Sequence, residues 1–89
     1  MKMTKRQIEI LKGFGEDDES IKQVERAATV TIYKYKGRRI SRKKAIELLG
    51  EEEFLSSLDR SAFHWSCNRE VAGKNEYVDF DSSKLFKDW

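Results

Sequence analysis

The chain's one histidine and one cysteine, His64 and Cys67, stand three residues apart. A cysteine nucleophile needs a base within hydrogen-bond reach and a third group to orient that base. Asp59 and Glu70 are the nearby acids that could orient it. A single pair at helical spacing is a weak signal, and Cys67 reads more simply as a small buried apolar side chain. A structural zinc site takes about four Cys or His ligands, and this chain has one of each. The acidic run Glu16-Asp17-Asp18-Glu19 lacks the spacing of a calcium loop. It sits where negative charge stabilises a helix start. Gly13 and Gly15 are too few for a phosphate cradle, and no strand precedes them. We therefore expect no catalytic residue, no metal and no cofactor. The protein reads as a binder and not as an enzyme.

Two segments carry the binding chemistry. From Arg26 to Lys44 there are eight basic residues and no acid. Tyr33 and Tyr35 interleave with Lys36, Arg38, Arg39, Arg42 and Lys43. Guanidinium forks and ammonium groups grip phosphates, and tyrosines stack on bases. An acidic protein surface would suit the same charges, and a solvated turn followed by a soluble helix is the plain alternative. The second segment is Leu58 to Arg69. On a helix, Arg60, His64 and Asn68 would form one stripe, and Ser61, Trp65 and Arg69 the next. Such side chains match base edges in a groove. Exposed Trp, Tyr and Arg are equally the energetic centres of protein interfaces. Trp65 as a half-buried packing residue is the competing view.

The elements that must position these residues follow from caps and periodicity. Thr4 and Gln7 make a capping box for a helix from Lys5 to Lys12, closed by Gly13. A second helix is expected from about Glu19 to Ala27, with Ile21, Val24 and Ala28 on its buried stripe. Thr29 to Tyr35 reads as a strand, with Val30 and Ile32 on one face and Thr31, Tyr33 and Tyr35 on the other. Lys36-Gly37 turns it into a short return strand, Arg38-Arg39-Ile40, with Ile40 inward. Ser41 caps a helix to Leu49, which Gly50 ends. Glu51 opens a short helix carrying Phe54, Leu55 and Leu58. Asp59 would cap another, Arg60 to Glu70, with Phe63 and Cys67 toward the core. Ala72 to Asn75 is a turn. Tyr77 to Phe80 is a strand with Val78 and Phe80 inward, and a last turn carries Leu85, Phe86 and Trp89. The expected fold is α+β: one domain, 1–89, with a small antiparallel sheet of two to three strands and four to five short helices on one side.

Bulk properties bound the class. With 89 residues the interior is small, leaving room for one main binding face and no deep cavity. A lone cysteine precludes an intrachain disulfide. No run approaches the ~18 apolar residues of a membrane span, and no apolar region follows the basic start as in a signal peptide. A cytoplasmic, membrane-free protein is expected. The net charge is only +2, yet it is segregated: +8 over residues 26–44, −4 over 13–25 and −5 over 45–59. Such patterning creates local fields although the total nearly cancels.

Residues 42–69 loosely resemble a helix-turn-helix, but the usual three-to-four-residue turn is replaced by the segment from Glu51 to Leu58. The run Ile40-Ser41-Arg42-Lys43-Lys44-Ala45-Ile46-Glu47-Leu48-Leu49-Gly50, then Glu53-Phe54-Leu55 and Arg60-Ser61-Ala62-Phe63-His64-Trp65, resembles short accessory proteins of phages and mobile elements of Gram-positive bacteria. Those proteins include anti-CRISPR inhibitors of RNA-guided nucleases. They share no single fold or site, so the resemblance carries over no residue. It implies an inhibitor that binds a host protein or a protein–nucleic acid complex. The alternative is direct binding to DNA or RNA. A homodimer stays open.

Overall fold

The computed structural model describes residues 2–87. Helix α1, Lys5–Gly13, opens with the expected box: Thr4 accepts the Gln7 N–H at 3.1 Å, and the Gln7 side chain accepts the Thr4 N–H at 3.0 Å. Helix α2, Asp18–Val30, is capped by Asp17, which accepts the Ser20 N–H at 2.8 Å. It runs into the segment expected to be strand. Ile21, Val24, Ala27 and Ala28 form one buried stripe, and burial of that stripe outweighs the β-preference of Thr29 and Val30.

Strands β1 (Ile32–Tyr35) and β2 (Arg38–Ile40) form the expected hairpin. Lys36 at φ 55° and Gly37 at φ 78° both take the left-handed conformation of a two-residue turn that follows strand twist. Ser41 caps α3, Arg42–Leu49, by accepting the Lys44 N–H at 3.1 Å. Gly50 at φ 85° is the single residue between α3 and α4, Glu51–His64. Glycine adopts that angle without steric penalty.

Helix α4 corrects the expected break at Asp59. Phe54, Leu55, Leu58, Ser61 and Ala62 are all buried on one continuous face, which carries the helix through to His64. The chain then reverses at Trp65, and residues 66–71 form strand β3, not a helix. Strand β4 is Glu76–Asp81, and a 3₁₀ turn, Ser83–Phe86, follows. The sheet therefore has four strands, one more than expected, in the order β2-β1-β4-β3, all antiparallel. The expectation for Trp89 falls outside the described residues.

Register fixes the two faces. Tyr33 lies opposite both Ile40 and Phe80, and Phe80 opposite Cys67. Paired residues share a face, so this row points to the helices. Tyr33, expected among the binding residues, is therefore buried, and Ile32 stands on the uncovered face. The rings of Tyr33, Phe54 and Phe80 meet with centroids 5.3–5.6 Å apart. Two of the three pairs are edge-to-face, a geometry that aromatic quadrupoles favour.

A buried cluster of hydroxyls joins the layers. Ser82 is fully buried, and its Oγ lies 2.6 Å from Thr31 Oγ1 and 2.9 Å from Ser61 Oγ. Thr31 also reaches the Ala27 carbonyl, and Ser61 the Leu58 carbonyl. Three hydroxyl protons thus serve four contacts, linking the end of α2, the last turns of α4 and the end of β4. We predict that Ser82→Ala lowers stability by about 1–3 kcal/mol in urea unfolding. A cost below about 0.5 kcal/mol would show the cluster to be incidental.

Candidate functional site

One side of the sheet is covered by helices and the other is open. The open side carries Ile32 and Lys34 from β1, Arg39 from β2, Ser66, Asn68 and Glu70 from β3, and Tyr77, Asp79 and Asp81 from β4. A groove of about 800 Å³ crosses it, lined by Lys34, Arg60, Trp65, Asn68, Asp79 and Asp81 among others. Hydrogen bonds from the Ser83 hydroxyl and N–H hold the Asp81 carboxyl below its usual range, and the positive charges of Lys34 and Lys87 act the same way.

Trp65 stands at the corner of this face. It is 61% exposed. Its φ of 73° and ψ of −45° are a strained conformation for a bulky residue. The strain is held from both sides: the Trp65 N–H donates to the Ser61 carbonyl at 3.0 Å, and the Ser82 N–H donates to the Trp65 carbonyl at 2.7 Å. The indole lies 5.9 Å from the Phe86 ring. Phe86 and Phe63 together line a neighbouring cleft of about 440 Å³ against α2. Phe63, expected in the core, is 45% exposed. Three aromatic side chains thus share one shoulder at the end of α4.

The expected stripes do not form, because the helix stops at His64. Arg60 and His64 remain on α4 and are exposed. Asn68 lies on the open face of β3. Arg69 points to the opposite face, where its side chain is engaged within the protein. Its guanidinium donates to Ser57 Oγ at 2.9 Å and Ser56 Oγ at 3.1 Å, and pairs with Glu53 at 3.0 Å. It fastens the sheet edge to α4. His64 and Cys67 fall on different elements, with Cys67 on the helix-covered face. Among the described residues, no three His, Cys, Asp or Glu side chains are placed to hold a metal, and no helix is long and apolar enough to cross a membrane.

The basic segment divides in the same way. Tyr33 is withdrawn from the surface. Burial pushes its hydroxyl up to about 12, against the opposing pull of the Arg42 charge. Tyr35 is half-buried and donates its hydroxyl to the Glu76 carboxylate. Lys36 pairs with Glu76 at 3.3 Å and covers the Tyr35 ring at 5.5 Å. Arg38, Arg39 and Lys43 are exposed, Arg42 is half-buried, and among the described residues none of the four lies in an ion pair. Two arrangements here oppose stability. Lys34 and Arg39 stand directly opposite each other on the open face, and like charges in register cost roughly 0.2–1 kcal/mol. Arg42, Lys43 and Lys44 occupy the first turn of α3, which holds no acid, against the helix dipole.

Three features of the structure go beyond what the sequence predicts. The hydroxyl cluster had a faint signal, since Ser61 follows Phe54 and Leu58 on the buried stripe of α4. The strain at Trp65 had none. The third is Asp59, half-buried between α4 and the loop before α2, with one oxygen buried and unpartnered. Burial pushes its carboxyl up to about 6, helped by a hydrogen bond to Glu16 and by that neighbour's charge. Arg60, His64 and Arg69 line the same cleft.

No protein-family model matches the chain, and no curated protein or solved structure matches it. The fold and the exposed groups define the class: an α+β protein with one covered and one open sheet face, and an aromatic shoulder beside the open one.

Asp59 generates a prediction. A carboxyl whose folded pKa is raised binds its proton more tightly in the folded state. Stability then falls as pH rises from about 4 to about 6 and levels off above. Asp59→Asn supplies a permanent donor to Glu16. We expect the variant to be more stable than the parent at pH 7, and its thermal midpoint to lose this fall between pH 4 and 6. A parent and variant with parallel pH profiles would contradict the assignment.

Proposed function

We propose that the chain is a non-enzymatic accessory protein of a phage or mobile element that docks on a host protein and inhibits it. The aromatic shoulder of Phe63, Trp65 and Phe86 is the centre of the contact, and Arg60, His64 and Asn68 are its polar rim. The observation that carries the reading is Trp65. A large apolar ring held in water on strained backbone raises the energy of the free protein. Burying such a ring in a partner's pocket is the usual source of interface energy. The groove beside it carries charges of both signs, which suits a protein surface better than a uniform polyanion.

The resemblance to short accessory proteins of phages and mobile elements supports an inhibitory role, with an RNA-guided nuclease as the first target to test. Direct reading of DNA by a helix finds no support, because the stripe proposed for it is divided between α4 and β3.

Glycine is the natural occupant of a φ near 73°, so Trp65→Gly relieves strain while removing the ring. We predict that this variant keeps its stability within about 1 kcal/mol and loses more than about 2 kcal/mol of partner binding. Tagged chain and variant, expressed in a Gram-positive host and recovered after nuclease digestion, should differ in one co-purifying protein. That protein's activity should be abolished at a one-to-one ratio by the parent only. Equal capture and equal inhibition by both forms would remove Trp65 from the interface.

A further inference from the structure

The basic edge of the sheet is not absorbed by this reading. Strand β2 is an outer strand of three residues, two of them exposed arginines. Lys34 stands beside Arg39 on the next strand, and the chain leaves β2 directly into the cationic first turn of α3. The ion pairs among the described residues join Arg6 to Glu51, Lys22 to Glu19, Lys36 to Glu76 and Arg69 to Glu53. None of them engages Lys34, Arg38, Arg39, Arg42, Lys43 or Lys44. The acids of the open face lie on β4 and β3, away from the outer edge of β2. Lys34 faces Asp79 in register and its charge acts on Asp81, so the cations clear of acid are those of β2 and the start of α3.

We infer that this basic edge, with Arg39 on the open face, Arg38 on the helix side and Lys43 and Lys44 at the start of α3, grips the phosphate backbone of a nucleic-acid duplex without reading its bases. A row of unpaired cations along an edge fits a linear polyanion and not a compact ligand. Base stacking, which single-strand binders use, is withdrawn here: Tyr33 is buried and Tyr35 is tied to Glu76. What remains are charges and guanidinium donors, which position a protein on a backbone and carry no sequence information. The like-charge pair and the cations at the helix start gain a use in this setting, since neither favours the free fold. Trp65 lies at the far side of the sheet, about three strand spacings or roughly 14 Å away. One nucleoprotein partner could therefore meet both surfaces, although this inference does not depend on the aromatic shoulder.

The test is fluorescence anisotropy of labelled duplexes with the full chain at several salt concentrations. Two DNA duplexes of unrelated sequence and one RNA duplex separate the sources of backbone. The double variant Arg39→Gln, Lys43→Gln is compared with the parent and with Lys12→Gln as a control at the end of α1. We expect the two DNA sequences to bind alike, and the double variant to bind at least about tenfold more weakly at low salt. Its log–log salt slope should be shallower by roughly 2, near 0.9 for each lost phosphate contact. Its melting temperature should be equal to or above the parent's, which separates lost contact from lost fold. The control should match the parent. Duplex binding unaffected by the double substitution overturns the proposal. So does tighter binding to a single strand of the same length, or displacement of duplex by polyglutamate at equal charge concentration, which would make an acidic protein surface the ligand.

Discussion

The fold depends on the junction at Ser82. Its backbone N–H holds the Trp65 carbonyl, and its hydroxyl sits between those of Thr31 and Ser61. Through this one residue the end of β4 is joined to the end of α2, to the last turns of α4 and to the reversal before β3. An apolar contact of similar area would bind the same elements with less directional control. Buried hydroxyls joined in one network hold position, because a shift leaves a donor or acceptor unmatched. The orientation of Trp65 is thus set from beneath by a side chain that never reaches the surface.

Where local chemistry decides conformation, the sequence was readable. Thr4 with Gln7, Ser41 ahead of α3, Gly50, the Lys36-Gly37 turn and the inward pair Val78 and Phe80 all stand where the sequence predicts them, within an α+β fold. The failures share one cause, which is that burial in the assembled fold overrides local preference. Thr29 and Val30 favour strand but extend α2, because Val24, Ala27 and Ala28 need a continuous helical stripe against α4. Asp59 has the chemistry of a cap but lies inside α4, whose apolar face continues to Ala62. Strand β3 offers only Val71 as a fully buried side chain, so its alternation was too faint to distinguish from a helix. It forms because β4 provides a complete partner. Of the residues expected to bind, Tyr33 and Arg69 were misplaced for the same reason: their faces are set by cross-strand register, which a single strand does not reveal.

The segregation of charge along the chain has a spatial counterpart. Many acids are committed to internal tasks. Glu51 and Glu53 meet Arg6 and Arg69 at the uncapped start of α4, where their charge also compensates the helix dipole. Glu76 holds Tyr35 and Lys36, and Glu16 meets Asp59. The cations of β2 and the start of α3 have no such assignment. A net charge of +2 therefore hides a surface on which positive groups are concentrated and available while much of the negative charge is engaged.

The pairing of β1 with β4 also governs how the protein comes into being. These two central strands join Ile32 to Asp81 and Tyr35 to Val78, so the middle of the sheet closes a loop spanning about half the chain. Helices α1 and α2 and the first hairpin leave the ribosome before β4, the second central strand, is there to pair with β1. They wait, with Tyr33 and the stripe of α2 unburied, until β4 emerges. Completion of the core must then await β4. Such non-local closure slows it and lengthens the interval in which a nascent chain is open to chaperones and proteases.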